Sequence, residues 1–437
     1  MALPGTFETL DPNAVSEWSV NFTNYRGTST ELSGIITQMS IFESIYNNCM
    51  FGNIKVADGT GFVEAHGIVG SGAEFVHFDI LTVNTVGAKS ANLEKVFTID
   101  SISNGVNNPK FIEYDIGMVS PYLLINNKKK ISRSFTKMTA SEIVDYVGVN
   151  IMEFEGGLPK WSGLKTTPTL HEKNTVVPSW NPFQLINFLA KNSVSEEGAS
   201  DFLFFENNEG FKFITIDELK NGPTKRMFVL SNTNRQSLVS VSGKGIDVDD
   251  AQMENYIEKS RFNITNGQTE GQYASSILTH NILEKRLDKY EVEYDGEKDK
   301  IVAEGIGLNG PPGKPFKDFN IWQNSGFMSS NYLYDIHDKG EKSHYPWYTM
   351  KKAELTKNVI QFDVPGDSNL FAGDVVAVQI PTHLFQHKLP EDQYVTGKWL
   401  VTAIHHKINN DGYVMTVECM KDGFFSDPDV TIPARAS

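Results

Sequence analysis

The sequence predicts an α+β protein that is mainly β, with an antiparallel β-domain of barrel or sandwich type at each end and a mixed α+β region between them. Three observations predict it. Short apolar–polar alternating runs recur from Gly34 to about Asn126, punctuated by Gly, Asn and Asp. The pattern returns from Val359 to Lys421, where Met415, Val417 and Cys419 alternate with Thr416, Glu418 and Met420. Between these stretches the apolar period becomes that of helices.

In chain order, residues 1–33 are polar, carry Pro4 and Pro12, and read as an N-terminal arm that orders on a partner. Residues 34–126 form the first β-domain. Its opening is a strand, the loop around Glu43-Ser44-Ile45, a strand Gly52 to Ala57, a turn at Asp58-Gly59-Thr60-Gly61, and a strand after Gly72. Further strands are expected at Ile80 to Val86, Leu93 to Ser103 and Phe111 to Met118. Residues 127–225 form the α+β middle. Asn126 to Lys130 reads as a solvated basic turn, Thr139 with Glu142 as a capping box ahead of a helix, and Asn181-Pro182-Phe183 as the start of a second helix. Phe202 to Glu206 and Phe211 to Ile216 read as a hairpin.

Residues 226–265 together with 350–425 are assigned to the second β-domain, interrupted by residues 266–349 and followed by a C-terminal tail, 426–437. Within the interruption Gln268 to Leu287 reads as a helix and Gly305 to Gly326 as a Gly/Pro-rich excursion. Strands are expected at Val359 to Val364, Asp374 to Ile380, Gly397 to Lys407 and Tyr413 to Lys421. A similar β-domain at each end implies a weak internal symmetry.

Composition narrows the function classes. With 40% apolar residues, 28 Phe and 15 Tyr in 437 positions, the chain can bury a large core without disulfides. The formal charge of −15 argues against affinity built on neutralising phosphates. Cys49 and Cys419 are the only cysteines, which excludes a disulfide framework and a Cys-based zinc site and fits a reducing cytoplasm during folding. No signal peptide and no run of about 18 apolar residues is visible.

The candidate chemical motifs fail on their surroundings. Gly305 to Gly310 has the spacing of a dinucleotide fingerprint, but Pro311, Pro312 and Pro315 forbid the helix that must follow. His383 and His387 are four apart in a loop-like segment, and His405 and His406 point to opposite faces of a strand, so neither pair makes a metal site. Glu196-Glu197 reads as a solvated helix end. No cofactor and no catalytic or metal-ligating residue is assigned. A structural or assembly protein ranks first, and a hydrolase with paired carboxylates second.

Two stretches carry a resemblance. Met39 to Ile45 followed by Met50 to Asp58, and Leu370 to Val376 followed by Ile380-Pro381 and Thr396 to His406, resemble motifs of central baseplate hub proteins of contractile-tailed bacteriophages. The resemblance runs from about Gly34 to Gly423 and leaves the arm and Gly305 to Pro346 unmatched. It implies two tail-tube-like antiparallel β-barrel domains per chain and a homotrimer whose ring has approximate sixfold symmetry. That ring would join the tail tube, or a tube-initiating protein, to the central spike, with baseplate wedge and tape-measure proteins as further neighbours. DNA would pass through the channel without specific binding. The place implied is the tail baseplate of a virion, after synthesis in the host cytoplasm. Glu43, Ser44, Ile45, Gly52, Asp58, Gly373, Asp374 and Gly397 carry over only as turn and strand-boundary positions near interfaces. A tail-associated cell-wall hydrolase and the separate hub subunit of a contractile injection system are the alternatives.

Overall fold

Alternation turns directly into strands at the start of the chain. The computed structural model describes residues 17–59, 61–66, 68, 74–83, 89–108, 110–152, 164–196, 198–230, 252–260, 274–281, 286–293, 348, 351–353, 355–356, 358–380, 395–409 and 412–421. Its first strands are β1 (Glu17–Thr23), β2 (Ser29–Glu31), β3 (Ile36–Ser44), β4 (Phe51–Asp58), β5 (Phe75–Val83), β6 (Lys89–Asn108) and β7 (Phe111–Val119), with a short helix α1 (Phe62–Ala65) after β4. Met39, Ile41, Ile54, Val56, Phe78 and Ile116 are buried, so the period-2 pattern becomes one packed face. The reading of residues 1–33 as an arm is corrected from Glu17 onward. There, Val20 and Phe22 are fully buried and β1 pairs along its whole length with β5. Their alternation is short and lies among Asn, Thr and Gly, which hid it.

The middle follows its capping chemistry. It comprises α2 (Pro121–Lys128), β8 (Ile131–Met138), α3 (Ala140–Asn150), β9 (Lys165–Thr166), β10 (Lys173–Trp180), α4 (Pro182–Lys191), β11 (Phe202–Asn207), β12 (Gly210–Thr215) and α5 (Ile216–Lys220). Thr139 and Glu142 form a reciprocal capping box that starts α3. Asn126 to Lys128 are not a solvated turn but the last residues of α2. The Asn126 side-chain oxygen accepts the Phe183 N–H at 2.8 Å, supplying a free donor in the first turn of α4 with its partner. Phe135, Ile143, Val147, Phe183, Ile186 and Phe213 close a separate core here.

The last strands are β13 (Thr224–Val229), β14 (Glu254–Ser260), β15 (Ala274–Asn281), β16 (Arg286–Glu293), β17 (Asn358–Pro365), β18 (Val375–Gln379), β19 (Gly397–Asn409) and β20 (Gly412–Lys421). The helix expected over Gln268 to Leu287 is replaced by the β15–β16 hairpin, paired from Ala274↔Glu293 to Asn281↔Arg286. In the sequence Tyr273 and Ile277, Leu278 and Ile282, and Leu283 and Leu287 are each four apart, a helical spacing, but a short apolar run does not separate helix from strand, and the ladder decides. The expectations for Gly305 to Gly326 and for His383 and His387 lie outside the described residues.

Thirteen strands make one sheet, in the order β14-β17-β20-β19-β3-β4-β7-β6-β5-β1-β2, with β18 and β13 branching from β19. The pairings among the described residues do not close into a barrel. They do contain a duplication. The path β3-β4-β7-β6-β5-β1 repeats as β14-β17-β20-β19-β18-β13, and the chain visits both sets in the same sequence.

The registers repeat too. Thr98 on β6 faces both Phe75 and Val119, and Leu400 on β19 faces both Val375 and Met420. Each long strand skips one residue at the corresponding place, Asp100 and Thr402. The buried positions match in pairs: Phe97 with Trp399, Ile99 with Val401, Met118 with Cys419, Ile54 with Phe362. One difference stands out, because β1 runs antiparallel to β5 whereas β13 runs parallel to β18.

One buried acid sets a pH dependence. Asp201 accepts the Asp217 N–H at 3.0 Å, and burial first, then the nearby Asp217 carboxylate, push its carboxyl up to about 7. Its unfolded value is about 3.9, so the folded state holds the proton more tightly. The resulting stabilisation is complete below about pH 3.9 and is lost as pH rises to about 7. Asp201→Asn removes this dependence. Urea unfolding is therefore expected to show the variant gaining stability relative to the parent chain between about pH 4 and pH 7 and levelling off above. A difference that stays flat across that window would contradict the assignment.

Candidate assembly surface

The duplicated halves are joined by a direct strand seam. β3 pairs antiparallel with β19 from Ser44↔Ala403 to Gln38↔Asn409, just past the stretch of β19, Gly397 to Leu400, that pairs with β18. Ile45 extends the seam by donating its N–H to the Thr402 carbonyl at 2.9 Å. On the inner face Met39, Ile41, Ile404 and Ile408 are buried, and two polar residues interrupt them. These are Glu43 on β3 and His406 on β19, both fully buried, with Oε1 and Nε2 3.6 Å apart.

Each has a second partner. Glu43 Oε2 accepts the Ala372 N–H at 3.1 Å, and His406 Nδ1 lies 2.7 Å from the Tyr413 hydroxyl. Burial above all, then the acids Asp367 and Glu43, hold the Tyr413 phenol far above its ordinary value. It keeps its proton, and the other face of the imidazole, Nε2, points at Glu43. Tyr413 also covers Gly366, where a Cβ would meet the ring at 2.0 Å.

Ala372 ties the middle to this seam. Its carbonyl accepts Asn207 Nδ2 at 3.0 Å from the end of β11. The neighbouring Glu206 accepts the Met50 N–H at 3.2 Å and pairs with Lys95 at 3.1 Å, while Lys95 also donates to the Asn207 carbonyl at 2.8 Å. Gly373 turns the chain with φ +95°, its Cα packed where a Cβ would come 3.1 Å from Phe205. Asp374 accepts the Phe371 N–H at 2.9 Å and pairs with Lys225 at 3.0 Å. Its carboxyl is raised because burial outweighs that lysine.

The outer face of the same strands is polar. It includes Lys55 and Asn53 on β4, Asp115 on β7, Ser101 on β6, Lys407 on β19, Asp363 bonded to Thr416 at 2.6 Å, and Glu418 paired with Lys259 at 2.7 Å. Phe42 stacks on Phe51 of β4 at 4.9 Å and, across the seam, on His405 at 4.3 Å. Burial, with His406 and Lys407 nearby, lowers the His405 pKa, so its ring is neutral at pH 7. Elsewhere, a cleft of about 480 Å³ on α4 is lined by Trp180, Phe188, Lys191, Gln184 and asparagines, without a carboxylate.

The structure brings some of the sequence-derived positions together and scatters others. Glu43, Ile45, Gly373 and Asp374 meet at the Ala372 junction. Ser44 accepts the Tyr46 N–H at 3.2 Å in the adjoining turn. Gly52 lies in the seam-bearing sheet, where a Cβ would stand 2.6 Å from the Ser40 carbonyl. Asp58 accepts the Val63 N–H at 2.8 Å and closes the turn into α1, and Gly397 begins β19 with φ +136°. Tyr413, Glu206 and Asn207 escaped the sequence reading, which weighed His406 only as a metal ligand. A Glu-Asn pair ending the apolar run Phe202 to Phe205 was the one available signal.

Removing the Glu43 carboxylate strands the Ala372 N–H and His406 Nε2 in the core. Glu43→Ala is expected to lose about 2–3 kcal/mol in denaturant unfolding, the cost of leaving a buried donor without its acceptor. Glu43→Gln, which retains an acceptor, is expected to lose about 1–2 kcal/mol. A loss in Glu43→Ala no larger than in Glu43→Gln would show that the pair does not hold the seam.

No family model and no curated protein matches the chain. Solved structures do. The prophage MuSo2 43 kDa tail protein from Shewanella oneidensis is similar at 9% identity and TM-score 0.54, over 94% of this chain and 100% of that one. The tail protein from Neisseria meningitidis MC58 is similar at 9% identity and TM-score 0.53, over 93% and 98%. A type VI secretion system component from E. coli aligns at 7% identity with a TM-score of only 0.44, over 90% and 76%. At these identities the likeness is one of architecture: the chain has the fold of the Shewanella and Neisseria tail proteins.

Proposed function

We propose that the protein is a non-enzymatic structural subunit of a phage-type tail, the baseplate hub, in which three copies form a ring of approximate sixfold symmetry. The observation that carries this reading is the duplication of six strands in the same order, joined by the β3–β19 seam. A chain with two equivalent modules supplies six equivalent places from three copies. The shared fold with two tail proteins supports the tail setting. In this reading each module takes a place equivalent to one subunit of a sixfold tail tube, on one side of the ring, and a threefold spike meets the other. The domain limits drawn from the sequence, other than the arm limit corrected above, the baseplate location, and contacts with wedge, tape-measure and tube proteins belong to the same proposal.

The polar outer face of the sheet is the surface we assign to the channel. It mixes Asp115, Asp363 and Glu418 with Lys55, Lys259 and Lys407, so it offers no continuous basic track to a phosphate backbone. Light scattering of the purified chain is expected to give the mass of three copies, alone or on addition of a candidate spike. A chain that stays monomeric in both conditions rules the ring out. The assembled ring is expected to bind double-stranded DNA more weakly than about 10⁻⁴ M at physiological salt. Tight binding there would overturn the channel assignment.

A further inference from the structure

The side of α4 turned away from the middle core carries a chemistry that its own packing does not use. Asn181, Gln184, Phe188 and Lys191 follow one another at intervals of three or four residues, so they line one side of the helix over roughly 15 Å. Trp180 flanks the stripe from the end of β10, its ring 5.0 Å from Phe188 and tilted by 59°. Ser179 takes a left-handed φ of +56°, and the ladder with β8 shifts between Val177 and Trp180, which re-aims the indole. These side chains line the cleft of about 480 Å³.

The amides in the cleft have capacity to spare. Asn181 is the N-cap of α4, where an amide oxygen ordinarily accepts a first-turn N–H. Here Asn126, from the end of α2, takes the Phe183 N–H instead, and Asn181 Oδ1 lies buried without a partner. Gln184 is exposed one turn further on, and no bond engages its amide among the described residues. Asn187 exchanges hydrogen bonds with Asn48 at 3.0 and 3.1 Å, which leaves its second N–H available. The far end of the stripe is basic. Lys191 stands in the last turn of α4, and burial first, then the Lys191 charge, lowers the pKa of nearby Lys352. Two like charges face each other there in a chain of net charge −15.

We propose that this cleft binds a saccharide that carries a carboxylate. A sugar hydroxyl is both donor and acceptor, and a carboxamide meets it with both. The C–H face of a pyranose is flat and apolar, and Trp180 and Phe188 offer it two aromatic surfaces. The carboxylate is the complement of Lys191 and of the positive charge beside it. An acidic peptide would meet the lysine but presents no rigid C–H face to the rings. The cleft size is that of a small-molecule site, and no carboxylate lines it, so it holds a glycan without the acid pair that would hydrolyse one. Every residue of the site comes from one copy, so the assignment stands apart from the ring.

The test is calorimetry on the full chain with three probes: trigalacturonate, its neutral counterpart galactotriose, and tetraglutamate. Trigalacturonate is expected to bind with a Kd of about 1 mM or tighter, and galactotriose about tenfold more weakly. Lys191→Ala is expected to erase the difference between the two trisaccharides, and Gln184→Ala to weaken both. Both side chains are exposed, so thermal unfolding of either variant is expected to match the parent chain. Tetraglutamate binding as tightly as trigalacturonate would show that the site reads charge alone and overturn the proposal. Absence of binding by both trisaccharides, or affinities that neither substitution changes, would overturn it as well.

Discussion

The Ala372 backbone is the point on which three parts of the chain converge. Its N–H is held by Glu43 from β3 and its carbonyl by Asn207 from β11, and a buried backbone group must have both satisfied. The adjoining residues zip onto β19, with the Gly373 N–H donating to the Val401 carbonyl and the Val401 N–H to the Asp374 carbonyl. The loop therefore fixes β19 relative to β3 and both relative to the middle. A carboxylate taken out of water to do this needs compensation on its other oxygen. His406 Nε2 stands 3.6 Å from that oxygen, the Tyr413 hydroxyl holds the imidazole through Nδ1, and Gly366 leaves room for the phenol ring.

Much of this fold was legible because local chemistry and global packing agree. The capping box at Thr139, the proline start of α4, the hairpin at Asn207 to Gly210 and the alternating strands of the last third all follow from nearest-neighbour rules. The misses share a cause as well. Val20 and Phe22 owe their burial to β5, far along the chain, and the hairpin from Ala274 to Glu293 is decided by its ladder rather than by residue type. The site was legible only as turn positions. Glu43 stood out as part of a motif, but nothing in a linear reading pairs it with His406, because their contact exists only once β3 and β19 share a register.

That register also explains why the expected pair of barrels is drawn as one sheet. A strand edge left open by one module is closed by the other, so the seam replaces a domain interface built from side chains with main-chain hydrogen bonds. Such a joint is stiff, and a one-residue slip of β3 along β19 would turn Glu43 outward and Phe42 inward, leaving His406 facing the core without it. The buried polar pair thus selects one register among the nearby alternatives, which an apolar seam of Ile and Met would discriminate less sharply.

The two modules differ most where a strict repeat would be least useful. Between β3 and β4 the connection is the short turn 45–50, whereas the equivalent β14 to β17 connection runs from 261 to 357 and contains the β15–β16 hairpin. The helical middle likewise enters once, between β7 and β13. In the proposed ring, the six repeated sheets would present near-equivalent edges, and these two insertions would occur three times each. Sixfold character then resides in the strands, where backbone pairing tolerates sequence change as long as the buried face stays apolar. Threefold character resides in the insertions, whose side chains are free of the repeat. A duplicated strand module with one segment between the modules and one within a turn is sufficient to place both symmetries in one chain, and the repeated registers of β6 and β19, with the residue each skips, are the mark of that duplication.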